Sequence, residues 1–147
     1  KTVTGARGIP VVADILPEEV ERDDMEMVIL PGGMPGTMNL NSSDFVRDTV
    51  QFCADHDIYI AAICAAPSVI LGGMDLLRHR RAVCYPGMED GMTCANAVQQ
   101  NCCVDGRIIT GRAAGAAMDF ALALCAAVMG KAAAKQVAES VCYDAGQ

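Results

Sequence analysis

Short apolar runs alternate with amphipathic stretches along this chain of 147 residues. Residues 27–30, 58–63 and 82–85 are apolar runs of strand length. Elsewhere apolar side chains recur every three or four positions, which predicts helices over residues 43–56, 67–74, 116–129 and 132–141. Strands that alternate with helices predict a mostly parallel sheet covered on both faces.

Glycine and proline mark the turns between these elements. Pro10 lies in a short apolar run over residues 9–13, which predicts an edge strand because proline cannot donate a ladder hydrogen bond. The dipeptide Asp105-Gly106 separates two further apolar runs and is typical of a tight hairpin. The loop over residues 31–36 is so rich in glycine and proline that we predict no regular structure for it.

The composition predicts one α/β domain with an aliphatic core. Hydrophobic residues make up 52% of the chain, aromatic residues only 4%, and tryptophan is absent. No apolar stretch is long enough to cross a bilayer, so we expect a soluble, cytoplasmic protein. The net charge of −7 argues against nucleic-acid and anionic-membrane partners, because both need a basic surface.

The eight cysteines do not form a metal-binding pattern. No Cys-x-x-Cys pair is present and the chain holds only 2 histidines, which disfavours a structural zinc site, and we expect neither a metal nor a cofactor. Cys53 and Cys125 fall on apolar helix faces. For these two we expect inert burial in a reducing cytoplasm.

Cys64 differs from the other cysteines by its position. The apolar strand over residues 58–63 ends on it, and the next predicted helix begins at Pro67. A side chain at such a strand-to-helix elbow projects from the carboxyl end of the sheet, where open α/β folds bind ligands. The helix dipole there favours thiolate over thiol. Two interpretations remain open from the elbow alone: a reactive cysteine, or a small buried hydrophobe.

The glycine-rich loop admits two interpretations as well. Its spacing fits neither a dinucleotide fingerprint nor a P-loop, and turn formation alone explains Gly32 and Gly33. The alternative places this loop beside the elbow, with a backbone N–H of Gly33 opposite Cys64. Together with the N–H of Ala65 it would then form an oxyanion hole for an adduct of thiolate with a carbonyl.

Four segments in order resemble the DJ-1/PfpI (ThiJ/PfpI) superfamily, in particular its DJ-1-like branch. They are residues 30–36 (LPGGMPG), 61–67 (AAICAAP), 84–87 (CYPG) and 109–115 (ITGRAAG). The resemblance covers essentially the whole chain. It implies a flavodoxin-like three-layer sandwich that is commonly a homodimer.

The resemblance also implies chemistry at the elbow. Cys64 matches a reactive cysteine credited with glyoxalase or deglycase activity on methylglyoxal-like aldehydes, with Gly33 and Ala65 as backbone donors. Tyr85 stands where some members carry a histidine. The remaining matched positions, near the substrate pocket or the dimer contact, are Gly32, Arg7 and Arg112.

Two departures from the family pattern matter. Family members carry a glutamate on the helix after their first strand, and no such segment precedes Lys1. We therefore expect residues 1–147 to form a single, N-terminally incomplete domain that lacks the first strand and helix. In addition, Ala65 stands where a protease-like branch has histidine, so we expect neither proteolysis nor glutamine hydrolysis.

The resemblance leaves two functions open for Cys64. As an enzyme, the chain would use the thiolate to attack a small carbonyl substrate, with a proton relayed by a glutamate supplied from outside this segment. As an oxidative-stress sensor or chaperone, Cys64 would react with peroxide and proceed to sulfinic acid without substrate turnover.

Overall fold

The structure is a computed structural model that describes residues 1–144. Its strands are β1 (Thr2–Thr4), β2 (Pro10–Val12), β3 (Met27–Leu30), β4 (Tyr59–Ile63), β5 (Arg81–Ala82), β6 (Asn96–Ala97), β7 (Cys102–Asp105) and β8 (Ile108–Gly111). Its α-helices are α1 (Gly36–Asn41), α2 (Asp44–Asp55), α3 (Ala117–Met129) and α4 (Lys131–Ser140). Short helical turns span Pro17–Glu19, Pro67–Gly72, Glu89–Gly91 and Ala114–Ala116.

The central sheet has four strands in the order β3-β4-β8-β7. The first three are parallel, and β7 joins β8 as the antiparallel arm of the predicted hairpin. The predicted mixed α/β fold with a mostly parallel sheet is therefore confirmed. Because β3, β4 and β8 run in one direction, their carboxyl ends meet at one edge, where residues 31–33, 64 and 112 lie.

The two faces of the sheet carry separate cores, which makes the domain three layers deep. Leu30, Ile60 and Ala62 pack on one face with α2 and the Pro67–Gly72 helix. Ile109 and its neighbours pack on the other face with α3. The alternation of side chains along β4 divides its apolar run between these two cores.

One local prediction was wrong. The run over residues 82–85 yields a strand of only two residues, β5, because the N–H of Val83 donates to Thr110 Oγ1 at 3.0 Å instead of joining a ladder. The predicted loop is irregular over residues 31–35, and the short helix α1, which begins at Gly36, was missed. The first strand, β1, was also missed, and it pairs antiparallel with the predicted Pro10 strand.

The strand β3 is less buried than its apolar sequence indicates. It pairs only with β4 in the described part of the chain, so its other edge is open. Ile29 is accordingly 54% exposed, whereas Leu30 is buried. No helix within residues 1–144 is long and apolar enough to cross a membrane.

Replacing Ile109 by alanine should lower the free energy of unfolding by about 2–5 kcal/mol, because its side chain is fully buried against α3. The same substitution at Ile29 on the open edge should cost less than about 1 kcal/mol. Urea unfolding followed by circular dichroism measures both values. Equal losses in the free energy of unfolding at the two positions would contradict the placement of Ile109 in the core and Ile29 at the open edge.

Candidate functional site

Cys64 lies where three segments of the chain converge. Its N–H donates to the carbonyl of Gly111 at the end of β8 at 2.9 Å, and its own carbonyl accepts from the N–H of Tyr85 at 2.8 Å. Its φ of +67° is a left-handed conformation that non-glycine residues seldom adopt. Such strain costs about 1–3 kcal/mol and clusters at functional sites, where the surrounding structure imposes it.

The short helix predicted after the elbow over residues 67–74 is present and ends at Gly72. It spans Pro67–Gly72 and is a π-helix. A macrodipole of that length is small, so the N–H groups nearest the thiol provide most of any stabilisation of negative charge. The predicted elbow at Cys64 is present. Any stabilisation of a thiolate there depends on the nearest N–H groups and not on the dipole of a whole helix.

Gly32 packs directly against Cys64. A Cβ built on Gly32 would lie 2.5 Å from the Cys64 Cβ and 2.7 Å from the carbonyl oxygen of Ile63. Real Cβ atoms do not come that close to either atom, so only glycine fits there without a backbone shift. The predicted neighbourhood of the glycine loop and the elbow is therefore present.

Of the two predicted donors, Ala65 is placed in this neighbourhood by a measured distance. The N–H of Ala65 lies 3.3 Å from the same built Cβ of Gly32, beside the thiol. Gly33, at a φ of +88°, has its carbonyl held by the N–H and the hydroxyl of Thr37, each at 2.8 Å. Within residues 1–144, neither the N–H of Gly33 nor that of Ala65 donates to another protein group. Their joint action on an oxyanion stays a prediction.

Two cavities are lined by neighbours of Cys64, although Cys64 itself lines neither. One, of about 380 Å³, is lined by Tyr85, Pro86, Asn101, Arg112, Ala113, Gly115 and Ala116. Tyr85 and Arg112 thus share this cavity. The N–H of Tyr85 donates to the Cys64 carbonyl, and Arg112 follows Gly111, whose carbonyl accepts from the Cys64 N–H. A second cavity, of about 340 Å³, lies between the first hairpin and the glycine loop, and Gly32 lines it.

The predicted site residues are not all brought together. Gly32, Cys64 and Ala65 are in contact, and Tyr85 with Arg112 forms the wall of the adjoining cavity. Arg7 lies instead in the exposed turn between β1 and β2, and within the described chain it lines neither cavity. Its role in substrate binding stays a prediction.

The residue that sequence reasoning passed over is Cys84. It is buried, and desolvation is the main cause that raises its pKa to about 11, with smaller contributions from the negative charges of Glu89 and Cys64. In the sequence, Cys84 stood out only as the first residue of the segment 84–87. The hydrogen bond from the N–H of the next residue, Tyr85, to Cys64 is known only from the structure. No side-chain pattern in the sequence pairs these two cysteines.

Comparison with known proteins decides the family. The DJ-1/PfpI family model matches residues 1–127. The chain belongs to the DJ-1/PfpI family. The DJ-1 homolog B of Arabidopsis thaliana is 35% identical over 136 residues, which cover 92% of this chain and 31% of that protein. This chain therefore spans about a third of that relative.

Solved structures in the DJ-1/PfpI family share the fold. A DJ-1 superfamily protein from Salmonella typhimurium superposes with a TM-score of 0.91 at 31% identity, over 97% of this chain and 78% of that one. The oxidized DJ-1 of Toxoplasma gondii gives 0.91 at 32% identity, over 97% of this chain and 77% of that one.

Two further relatives have names that describe an activity. A deglycase of Pyrococcus abyssi is 32% identical over 116 residues, which cover 77% of this chain and 68% of that protein. The glutathione-independent glyoxalase DJR-1.2 of Caenorhabditis elegans is 26% identical over 139 residues, which cover 93% of this chain and 73% of that one. These two names, deglycase and glyoxalase, are the activities that the names of these relatives state.

Replacing Gly32 by alanine should lower the free energy of unfolding by about 1–3 kcal/mol, because the added Cβ has no room beside Cys64. It should also change the rate at which iodoacetamide alkylates Cys64, since the thiol must move. Gly36→Ala is the matched control, because nothing lies within 4 Å of a Cβ there. Indistinguishable stabilities of the two variants would refute the contact.

Proposed function

We propose that this protein is a cysteine-dependent enzyme of the glyoxalase or deglycase type, acting on methylglyoxal-like aldehydes or the adducts they form. The observation that carries the proposal is the position of Cys64. It is held between the ends of β8 and β4 and the segment at Tyr85, and its neighbours Tyr85 and Gly32 each line a cavity. The names of the deglycase and glyoxalase relatives support the same class of reaction.

The first step uses the thiolate as a nucleophile. The Cys64 sulfur adds to the aldehyde carbon, a carbon–sulfur bond forms, and the electron pair of the C=O bond moves to oxygen. The N–H groups of Gly33 and Ala65 donate to that oxyanion, because both are available at the elbow. Stabilisation of developing charge by such fixed donors is worth about 3–4 kcal/mol per donor.

The later steps move protons. With a 2-oxoaldehyde, the hydrogen on the attacked carbon is transferred as a proton to the neighbouring carbonyl carbon, which leaves a thioester of a 2-hydroxy acid. Water then cleaves the thioester, releases the hydroxy acid and regenerates the Cys64 thiol. No Asp or Glu of residues 1–144 lines either cavity, so the acid and base for this transfer must come from another group.

Substrate binding falls to the cavity beside Tyr85. The Arg112 side chain forms no ion pair within the described chain, and its backbone N–H is fixed by the carbonyl of Asn101 at 2.9 Å. The guanidinium and the Tyr85 hydroxyl are groups on this wall that can donate hydrogen bonds to carbonyl oxygens of a substrate, and the amide of Asn101 is a further donor there.

A homodimer stays a prediction. Exposed apolar side chains of the first hairpin, such as Val3, Val11 and Val12, are the surface that a second copy would cover.

A second candidate function is peroxide sensing through Cys64. The half-buried thiol is accessible to a small oxidant, and its Toxoplasma gondii relative has been solved in an oxidized form. Oxidation needs the same nucleophilic sulfur but no substrate turnover.

Replacing Cys64 by serine should abolish formation of lactate from methylglyoxal, with kcat reduced at least about a hundredfold, because a hydroxyl is a far weaker nucleophile at neutral pH. Cys94→Ser is the control, since Cys94 is an exposed thiol remote from both cavities. Enzymatic assay of D- and L-lactate gives the rates. Lactate formation by the serine variant at the wild-type rate would exclude this mechanism. If the wild type produces none, the enzyme proposal fails and sensing remains.

Replacing Arg112 by methionine should raise KM for methylglyoxal about tenfold and lower kcat less, because a group that binds ground and transition states alike acts mainly on KM. Arg78→Met is the control, because Arg78 pairs with Asp75 at 2.9 Å on an exposed surface. Steady-state kinetics separates the two constants. An unchanged KM would remove Arg112 from the substrate site.

A further inference from the structure

Cys84 is the buried nucleophile that the mechanism above does not use. It directly precedes Tyr85, whose N–H donates to the Cys64 carbonyl at 2.8 Å. Backbone segments joined by such a bond lie roughly 5 Å apart, which is within the Cα separation that a disulfide can span. The backbone therefore holds the two cysteines side by side, although they are separated by 19 intervening residues, 65 to 83.

The Cys84 side chain is oriented by the same segment. Its thiol donates to the carbonyl of Tyr85 at 3.4 Å, so it lies along the segment that is bonded to Cys64. A negative charge on Cys64 is the smallest of the three causes that raise the pKa of Cys84, so the two thiols are coupled electrostatically.

We propose that Cys84 is the resolving thiol of Cys64, so that oxidation by a hydroperoxide ends in a reversible Cys64–Cys84 disulfide instead of sulfinic acid. The proposal concerns oxidation alone, and it holds whether or not the protein turns over an aldehyde.

The reaction proceeds in two balanced steps. The Cys64 thiolate attacks the outer oxygen of the hydroperoxide, the O–O bond breaks, and the sulfur becomes a sulfenic acid while alkoxide or hydroxide leaves and takes a proton from water. The Cys84 thiol then loses its proton, and its sulfur attacks the Cys64 sulfur. Hydroxide is displaced and leaves with that proton as water. The hydroperoxide is the only oxidant, and it supplies both oxidising equivalents.

Proximity outweighs the weak acidity of the Cys84 thiol. Desolvation and the charge of Glu89 raise its pKa to about 11, so about one molecule in ten thousand carries the thiolate at neutral pH. Well-placed groups in one molecule react as if present at about 10⁵ M or more. Multiplying the thiolate fraction by this effective molarity gives about 10 M of Cys84 thiolate. That value is far above the concentration of hydrogen peroxide in the test. We therefore expect disulfide formation to precede further oxidation.

The test treats the reduced protein with a small excess of hydrogen peroxide, alkylates the remaining thiols and maps the cysteines by mass spectrometry. The wild type should give a Cys64–Cys84 cross-link that dithiothreitol reverses. Cys84→Ser should give sulfinic acid at Cys64 instead, at a level at least about tenfold above the wild type. Cys84→Ala serves the same purpose if serine disturbs the buried position, and circular dichroism checks the folding of each.

Cys103→Ser is the matched control, because Cys103 is another buried thiol whose pKa is raised by burial. That variant should form the cross-link as the wild type does. The proposal is overturned if the wild type accumulates sulfinic acid at Cys64 while Cys84 remains alkylatable, or if Cys64 pairs with a different cysteine. Either result leaves the aldehyde assay of the Cys64→Ser variant unaffected, so the two proposals fail separately.

Discussion

The contact between Gly32 and the Cβ of Cys64 is the constraint on which the rest of the site depends. It brings the carboxyl ends of β3 and β4 so close that a single added carbon has no room. This packing sets the glycine loop beside Cys64, and the Ala65 nitrogen lies 3.3 Å from the same built Cβ. A larger side chain at position 32 would separate the loop from the elbow.

The backbone of Cys64 connects this contact to the remaining segments. Its two hydrogen bonds reach Gly111 and Tyr85, which are far from it in sequence. The left-handed conformation at Cys64 persists because these partners, together with Gly32, fix the chain on three sides. The site is therefore a product of the parallel sheet, which gathers the ends of non-consecutive strands at one edge.

The sequence predicted what depends on local pattern. The strands β3, β4, β7 and β8, the helices α2 to α4 and the elbow at Cys64 follow from periodicity and turn residues, and the structure confirms them. It could not predict that Val83 bonds to a threonine side chain, because that contact depends on where β8 lies. It could not pair Cys64 with Cys84 for the same reason. Arg7 matched a motif, but its hairpin places it in an exposed turn, and motif matching carries no information on that placement.

The two proposed functions share one sulfur and differ in what else they require. Attack on a hydroperoxide needs a thiolate and a leaving group that water can protonate. Attack on an aldehyde needs, in addition, a group that carries a proton between neighbouring carbons. Within the described chain, the two cavities lined by neighbours of Cys64 offer Arg112 and Tyr85 but no carboxylate. The proposed oxidation therefore calls on described residues alone, whereas the proposed carbonyl chemistry calls on one further acid.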